Sequence, residues 1–402
     1  MRIGLDFINF DPVYSGGMNT FALGLARGVI RTKTSDDSVV FIVSEKNVDH
    51  LKSIFPDAAI TFKILRIRKS FRIMNRLLIY LSWVLRDFRV RCRYDRYFRA
   101  PLMREIDDTV DALISPFTVL SLYALRKPSI LSIHDIQQEY HPEFFTFRQR
   151  VERWAPYRAS CEAATFIQVS SLYIQDCVLE KFIFVDRKKL FLAYEGVDSE
   201  KFNAPVFSRP PGVVDAQEGK FLYYPAQLWP HKNHLLLVEA LTQFRDEKGY
   251  EFPCILSGSD YDFWTTISDA LRARGLRKVN YLGRVKFEEV LWLYRNCSAV
   301  LALGLHESSS LPIREGAVFG KPLLCSNIPP NIEVEKLLNL ILVSQNDPKS
   351  LTNAMITLAD DNGTLASNAH ENIEKVKHFE WRVIAEEYLA FLRLLVSTEN
   401  FR

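Results

Sequence analysis

The chain has 402 residues, 48% of them hydrophobic and 25% charged, with 51 Lys and Arg against 48 Asp and Glu for a net charge of +3. That length is too great for one ordinary core and predicts two domains of roughly 150–200 residues, while the composition is that of a globular protein rather than a low-complexity one. The six cysteines stand singly, without C-x-x-C spacing, which argues against a disulfide framework or structural zinc and fits a reducing cytoplasm.

Met1 leads directly into an apolar run over residues 3–8, so the reading contains no signal peptide. Further strands are predicted at 39–43, 60–65, 112–115, 129–133, 165–169 and 190–193, with helical periodicity between them, as at 20–29 and 150–163. Residues 204–219 have the Pro and Gly content of a linker. A second series follows, with strands at 220–225, 254–257, 279–282, 299–303, 323–326 and 340–343, and helices at 235–244, 263–274, 287–295 and 313–319. The tail is helical at 350–359 and 381–396. Strands alternating with helices predict parallel sheets, and the α/β reading is of two doubly wound, Rossmann-like domains. Their expected bounds are 1–203, a linker 204–219, 220–378, and a last helix within 379–402 packing back on the first domain. In such sheets ligands bind outside the carboxyl ends of the strands, so the expected site is a cleft between the domains.

Several segments carry chemistry. In residues 11–20 (DPVYSGGMNT), Gly16 and Gly17 precede a helix, where small residues let the backbone approach a ligand; Asn19 belongs to the same loop. This is not the G-x-G-x-x-G fingerprint, and a plain turn is the simpler alternative. His134 and Asp135 follow a buried strand. His134 suits a sugar hydroxyl or acid–base work, but a packed histidine beside a capping Asp135 explains the pair equally. Lys232 sits at a helix start, placed as a point charge for a diphosphate or merely solvated. His231 and His234 lack a third ligand, so no metal is expected there. Asp260 and Asp262 form a D-x-D, but they open a helix, and N-capping explains both.

The most informative stretch is residues 303–322, LGLHESSSLPIREGAVFGKP. Glu307 and Glu315 lie eight positions apart across Ser308, Ser309, Ser310, Leu311 and Pro312. Proline is tolerated in a first helical turn, so Glu307 should end a loop and Glu315 lie one turn into a helix. The helix N-terminus suits phosphate, and an acid beside it suits ribose hydroxyls. The alternative is a capped surface helix with two solvated acids.

Taken in order, these segments resemble glycosyltransferase family 4, the retaining enzymes of GT-B architecture. The resemblance spans nearly the whole chain: Gly16-Gly17, His134-Asp135, residues 194–198 (YEGVD) with Phe202, residues 225–232 (PAQLWPHK), residues 281–283 (YLG), the Glu307/Glu315 pair and residues 320–322 (GKP). Residues 229–234 (WPHKNH) are most similar to members that build bacterial surface polysaccharide from mannose or rhamnose donors. The resemblance implies that Glu315 takes the ribose hydroxyls and Glu307 the donor sugar. Lys232 would take the diphosphate and His134 a sugar hydroxyl near the reacting carbon, with Gly16 and Gly17 bordering phosphate and acceptor. It implies metal-independent transfer from a nucleotide sugar, GDP-mannose or dTDP-rhamnose, to a saccharide acceptor that is lipid-linked, with retained configuration. The base is expected to be read near Gly283 and Arg284. Two departures stand out: Gln227 replaces the usual arginine, and Ser308-Ser309-Ser310 replaces the usual Gly-Phe-Gly. They motivate a second reading, a degenerate donor-binding or scaffold protein, and a third is an epimerase of the same architecture.

Residues 66–104 carry Arg or Lys at twelve positions, with Ile73, Leu77, Tyr80, Leu81 and Val84 at helical spacing. This predicts a basic amphipathic helix that rests on an anionic membrane surface at its cytoplasmic face or packs its apolar stripe into the first domain. Nucleic acid is not expected, since no binding fold accompanies the charge.

Overall fold

The computed structural model describes residues 1–12, 17–56, 59–66, 69–202, 207–213, 220–361 and 363–397, with backbone only at 69, 71, 72 and 201. The chain divides into two compact units, Met1–Gly196 with Trp381–Arg402, and Val197–Glu380.

Unit 1 is built on seven strands: β1 (Arg2–Asp6), β2 (Ser38–Ser44), β3 (Ile60–Leu65), β4 (Ala112–Ser115), β5 (Ser129–Ile133), β6 (Phe166–Val169) and β7 (Leu190–Leu192). They form one parallel sheet in the order β3-β2-β1-β4-β5-β6-β7, with Ile3 in register with Val39 on one side and Ala112 on the other. Helices cover both faces, so the central strands β2, β4 and β5 are buried except at Ser38 and read as largely apolar runs. The helices are α1 (Gly17–Thr32), α2 (Val48–Ile54), α3 (Lys69–Leu85), α4 (Val90–Phe98), α5 (Ala100–Thr109), α6 (Phe147–Ala163) and α7 (Leu172–Lys181).

Unit 2 carries β8 (Leu222–Pro225), β9 (Cys254–Ser257), β10 (Val279–Tyr281), β11 (Ala299–Ala302), β12 (Leu323–Ser326) and β13 (Ile341–Val343). Their order is β10-β9-β8-β11-β12-β13, again all parallel. Its helices are α8 (Ser199–Phe202), α9 (His234–Lys248), α10 (Trp264–Ala273), α11 (Phe287–Asn296), α12 (Leu311–Val318), α13 (Pro329–Glu335), α14 (Pro348–Asp360), α15 (Thr364–His370) and α16 (Asn372–Lys375). The last helix, α17 (Trp381–Ser397), lies along α1 in unit 1. The indole of Trp381 fills a slot against Gly24, Gly28 and Gly196, where any Cβ would overlap it.

All thirteen predicted strands are present, with ends shifted by up to two residues; the first stops at Asp6, where the chain turns, rather than at residue 8. The division between units falls at Gly196–Val197, upstream of the Pro-rich segment 204–219, and again at Glu380–Trp381. The described part of that segment, 207–213, is bound to α11: Ser208 N–H donates to the Glu288 carbonyl, and Arg295 and Arg209 lie over Phe207 and Trp292. The basic segment 66–104 is not one helix but three, α3 to α5, with Arg86 in the left-handed region (φ 53°) just after α3.

Candidate functional site

In both sheets, strand order reverses next to the first strand, and a doubly wound sheet opens its binding crevice there, at the carboxyl ends. In unit 2 that point lies between β8 and β11. After β8, residues 226–229 lead to a 3-10 turn, Pro230–Lys232, whose last carbonyl accepts from the Tyr224 hydroxyl at 2.5 Å. The Leu305 N–H donates to the His231 carbonyl, stitching this loop to the one after β11. The stitching brings together the two charges of the sequence reading: Lys232 Nζ lies 2.5 Å from Glu307 Oε1, with both side chains largely covered. Glu307 lies against Gly304, whose missing side chain makes the room; a Cβ there would overlap the carboxylate. The Ser326 hydroxyl holds Gly304 in place by donating to its carbonyl at 2.7 Å. Beneath Lys232, His234 is buried, and burial together with the lysine charge pushes its imidazole down to about 3, so it is neutral.

Glu315 lies in α12, where Ser310 is the N-cap and Pro312 falls in the first turn. Its Oε2 accepts from the Tyr294 hydroxyl at 2.5 Å. Tyr294 is fully buried among Tyr223, Phe202 and Phe319; burial and the Glu315 charge drive its phenol far above the ordinary range, so it keeps its proton. Of the serines, Ser309 Oγ accepts from Arg314 Nη1 at 2.5 Å, while Ser308 and Ser310 are buried. Arg314 is itself buried, over the ring of Phe379. The Gln227 side-chain oxygen Oε1 accepts from the Trp229 indole at 3.1 Å. Leu311 opens α12, and Arg284 is exposed on the loop beyond β10. Asp260 caps α10 by accepting from Phe263 and Trp264 N–H; Asp262 instead takes a left-handed backbone at φ 62°. Among the described residues, no three His, Cys, Asp or Glu side chains gather as metal ligands would.

Unit 1 has its own crevice, a cavity of about 850 Å³ at the reversal between β1 and β4. Residues 8–12 and 119–121 line it from the sheet side and Asn75, Ile79 and Ser82 from α3. The two loops are tied by Asp6, which accepts from Ile8 N–H at 3.1 Å and Ser121 N–H at 3.3 Å. Full burial raises its carboxyl to about 6 despite these bonds. Nothing in the sequence marked Asp6 out.

Of the loop residues, Gly16 lies outside the described residues, Gly17 is the exposed first residue of α1, and Asn19 is buried and donates to the Asp11 carbonyl at 2.7 Å. Asp135 caps a turn by accepting from Gln137 N–H at 3.3 Å. His134 is buried with both ring nitrogens engaged: Nε2 donates to the Pro116 carbonyl at 2.9 Å and Nδ1 lies 3.4 Å from Glu195 Oε1. The Phe21 ring closes over it edge to face. Burial lowers its pKa, but the Glu195 hydrogen bond and charge outweigh this and leave the imidazole above its ordinary value. As arranged, the ring has no free nitrogen for a sugar hydroxyl.

Residues 212–376 match the family model described as Glycosyl transferases group 1. Residues of the chain are 26% identical over 178 positions to O-antigen chain mannosyltransferase B of Escherichia coli, covering 44% of this chain and 46% of that one. They are 24% identical over 233 positions to O-antigen chain mannosyltransferase RfbU of Salmonella typhimurium, covering 58% and 61%. The chain thus spans about half to three-fifths of the curated relatives it matches. Among solved structures, Anabaena HepE in complex with UDP and glucose superposes with a TM-score of 0.69 at 17% identity, covering 98% of this chain and 100% of that one. WaaG, a glycosyltransferase involved in lipopolysaccharide biosynthesis, superposes with a TM-score of 0.64 at 11% identity, covering 97% and 99%. These likenesses carry the fold: two α/β units of the GT-B kind.

Proposed function

We propose, from the premise that residues 212–376 form a group 1 glycosyltransferase domain, that the protein transfers a hexose, mannose in first place and rhamnose in second, from a nucleotide sugar to a saccharide acceptor in bacterial surface-polysaccharide synthesis. The observation that carries the reading is the Lys232–Glu307 pair at the strand-order reversal of unit 2, one loop from Glu315 and the start of α12. Mannose is favoured because both curated relatives are named as O-antigen mannosyltransferases. HepE, solved with UDP and glucose, supports a nucleotide sugar as the donor class.

The chemistry follows from charge. Transfer breaks the bond between the anomeric carbon and a diphosphate oxygen and forms one from that carbon to an acceptor oxygen. The acceptor's proton passes to the leaving diphosphate. Negative charge builds on that diphosphate, and Lys232 and the amide end of α12 are the groups to stabilise it. When Lys232 turns to phosphate, Glu307 is released to accept from hydroxyls of the donor sugar. Glu315, held by Tyr294, accepts from the ribose. Retention of configuration is the stereochemistry this arrangement is expected to give, with no metal required. His134 acts as a positioning residue, holding the loop after β4 against Glu195. The 850 Å³ cavity of unit 1 is the acceptor's place.

A lipid-linked acceptor would bring the protein to a membrane surface, and α3 supports that reading. No helix among the described residues is long and apolar enough to cross a bilayer. Yet Ile73, Leu77, Leu81 and Val84 form an exposed stripe on α3, with Val84 75% exposed, while Asn75, Ile79 and Ser82 line the cavity. The reading is of a peripheral protein on the cytoplasmic face.

Thermal unfolding with GDP-mannose, dTDP-rhamnose, UDP-glucose and the free diphosphates tests the donor, since a ligand at a hundred times its Kd stabilises by about 2.7 kcal/mol. Stabilisation by GDP-mannose, lost in Lys232→Ala, is the expected result. No response to any nucleotide would overturn the transferase reading.

A further inference from the structure

A second cavity in unit 1, about 760 Å³, lies on the far side of α4 and Tyr123 from the first. Tyr123 lines both cavities; Arg91 faces the first, and its neighbours Arg89 and Arg93 face the second. The buried carboxylate of Asp95 fixes this partition by accepting from Tyr123 N–H and pairing with Arg91 and Arg99. The second cavity is lined by α4, by α5 from Ala100 to Asp107, by the last residues of α6 and by the chain leading into β5, so it opens near the amino ends of β5 and β6, away from the crevice assigned to transfer.

Its lining is strongly cationic. Five guanidinium groups, Arg89, Arg93, Arg96, Arg104 and Arg126, face it, against the carboxylates of Asp107 and Glu162 alone. Asp107 is committed to the backbone, accepting from Arg126 and Lys127 N–H. Glu162 pairs with Arg89, and Arg93 pairs with Asp87 outside the cavity. Arg96 and Arg104 have no acidic partner among the described residues. Gathering like charges around one concavity raises the local concentration of anions, and guanidinium groups match the planar oxygen pairs of a phosphate ester. The surroundings point to where that ester comes from. Next to Arg96 on α4, Tyr97 and Phe98 are 72% and 76% exposed, and Val84 and Leu85 at the end of α3 are exposed as well. Arginines over a phosphate pocket, flanked by bare apolar side chains, are the two components of attachment to an anionic bilayer.

We infer that this cavity binds the phosphate of an anionic lipid headgroup, with α3 and α4 resting on the bilayer around it. The inference rests on the peripheral-membrane reading above but adds a discrete site to it. The test is flotation of the full chain with phosphatidylcholine vesicles, with and without phosphatidylglycerol. Alongside the wild type go Arg96→Glu/Arg104→Glu, its milder form Arg96→Ala/Arg104→Ala, the stripe variant Leu77→Asp/Leu81→Asp, and Arg382→Glu as a charge control. Thermal unfolding and donor binding check that each variant is folded.

The expected result is binding to phosphatidylglycerol vesicles that falls at least about tenfold in both arginine pairs and is unchanged in Arg382→Glu. Arginine variants that float like the wild type, while Leu77→Asp/Leu81→Asp fails, would overturn the headgroup site and leave the membrane reading standing. A wild type that floats with neither vesicle would overturn both. Stabilisation by soluble glycerol phosphate that needs Arg96 and Arg104, without vesicle binding, would overturn the lipid source and assign the cavity to a free phosphate ester.

Discussion

The two units share one topology and build opposite kinds of site at the same place in it. In unit 2, the polar groups at the strand-order reversal are already paired: Lys232 with Glu307, Tyr294 with Glu315, Arg314 with Ser309. In unit 1, the corresponding crevice is a broad cavity, and the buried polar groups nearest the turn of the chain, Asp6 and Asn19, spend their hydrogen bonds on its own loops. Under the proposed function, the first arrangement selects a ligand by charge at a few points, because partners held in a largely covered site lose little freedom when the ligand arrives. Under that function, the second spreads recognition over many lining groups, Asn9, Lys46 and Asn75 among them. Single substitutions should therefore be severe in unit 2 and mild in unit 1.

The sharpest way to break that contrast is to remove its central charges. Lys232→Ala and Glu307→Ala should each lower kcat/KM by about 10²–10³, the usual consequence of losing one stabilising group at a developing charge. Radiolabelled sugar transfer measures it. Lys232→Ala losing less than tenfold would mean that the diphosphate is held elsewhere. A subtler attack is Gly304→Ala, which touches no ligand. Its new Cβ occupies the space of the Glu307 carboxylate, so either the loop shifts or the ion pair opens. Overpacking of this kind costs about 1–3 kcal/mol, and donor affinity should fall with stability.

How much of this was legible from the sequence follows the same contrast. The strands were legible because parallel strands covered on both faces are plain apolar runs. Lys232, Glu307 and Glu315 were legible because Pro230 and Pro312 mark where the chain stops and a helix begins. What holds them was not. Tyr294 reaches Glu315 from another helix, and Glu195 meets His134 across 61 residues, pairings that no local spacing encodes. The amphipathic pattern of α3 was visible, but a helical period says only that a helix has two faces. That the face lining the cavity carries Asn75 and Ser82, and the bare one Leu77 and Val84, is decided by what packs beneath it.

Tyr294→Phe sharpens the contrast at intermediate size. It keeps the ring stacking and removes one hydrogen bond to a charged acceptor, worth about 1.5–3 kcal/mol. Since Glu315 is assigned to ribose rather than to the reacting carbon, the loss should appear as a KM raised about tenfold with kcat nearly kept. A fall in kcat alone would move Glu315 to the chemistry.

The smallest effects belong to unit 1, and pH separates them. Asp6 titrates near 6 when folded against 3.8 as an ordinary carboxyl, so between roughly pH 4 and 6 the folded chain holds a proton that the unfolded chain has released. Stability contributed by that proton is complete below pH 4 and is lost as pH rises through 6. His134 is also raised, from 6.5, and its contribution is intact below that value and lost as pH rises through the higher folded one. The two groups therefore push in one direction in adjoining windows, each with a slope bounded by one proton, about 1.4 kcal/mol per pH unit. Urea unfolding from pH 4 to 9 should show both slopes. Asp6→Asn should flatten the lower window alone, because the amide cannot titrate. Glu195→Gln should flatten the upper one, because the imidazolium loses the charge that sustains it. Neither change should alter the Lys232-dependent response to nucleotide, which belongs to unit 2; a Glu195→Gln variant that lost that response would make the buried histidine part of the donor site after all.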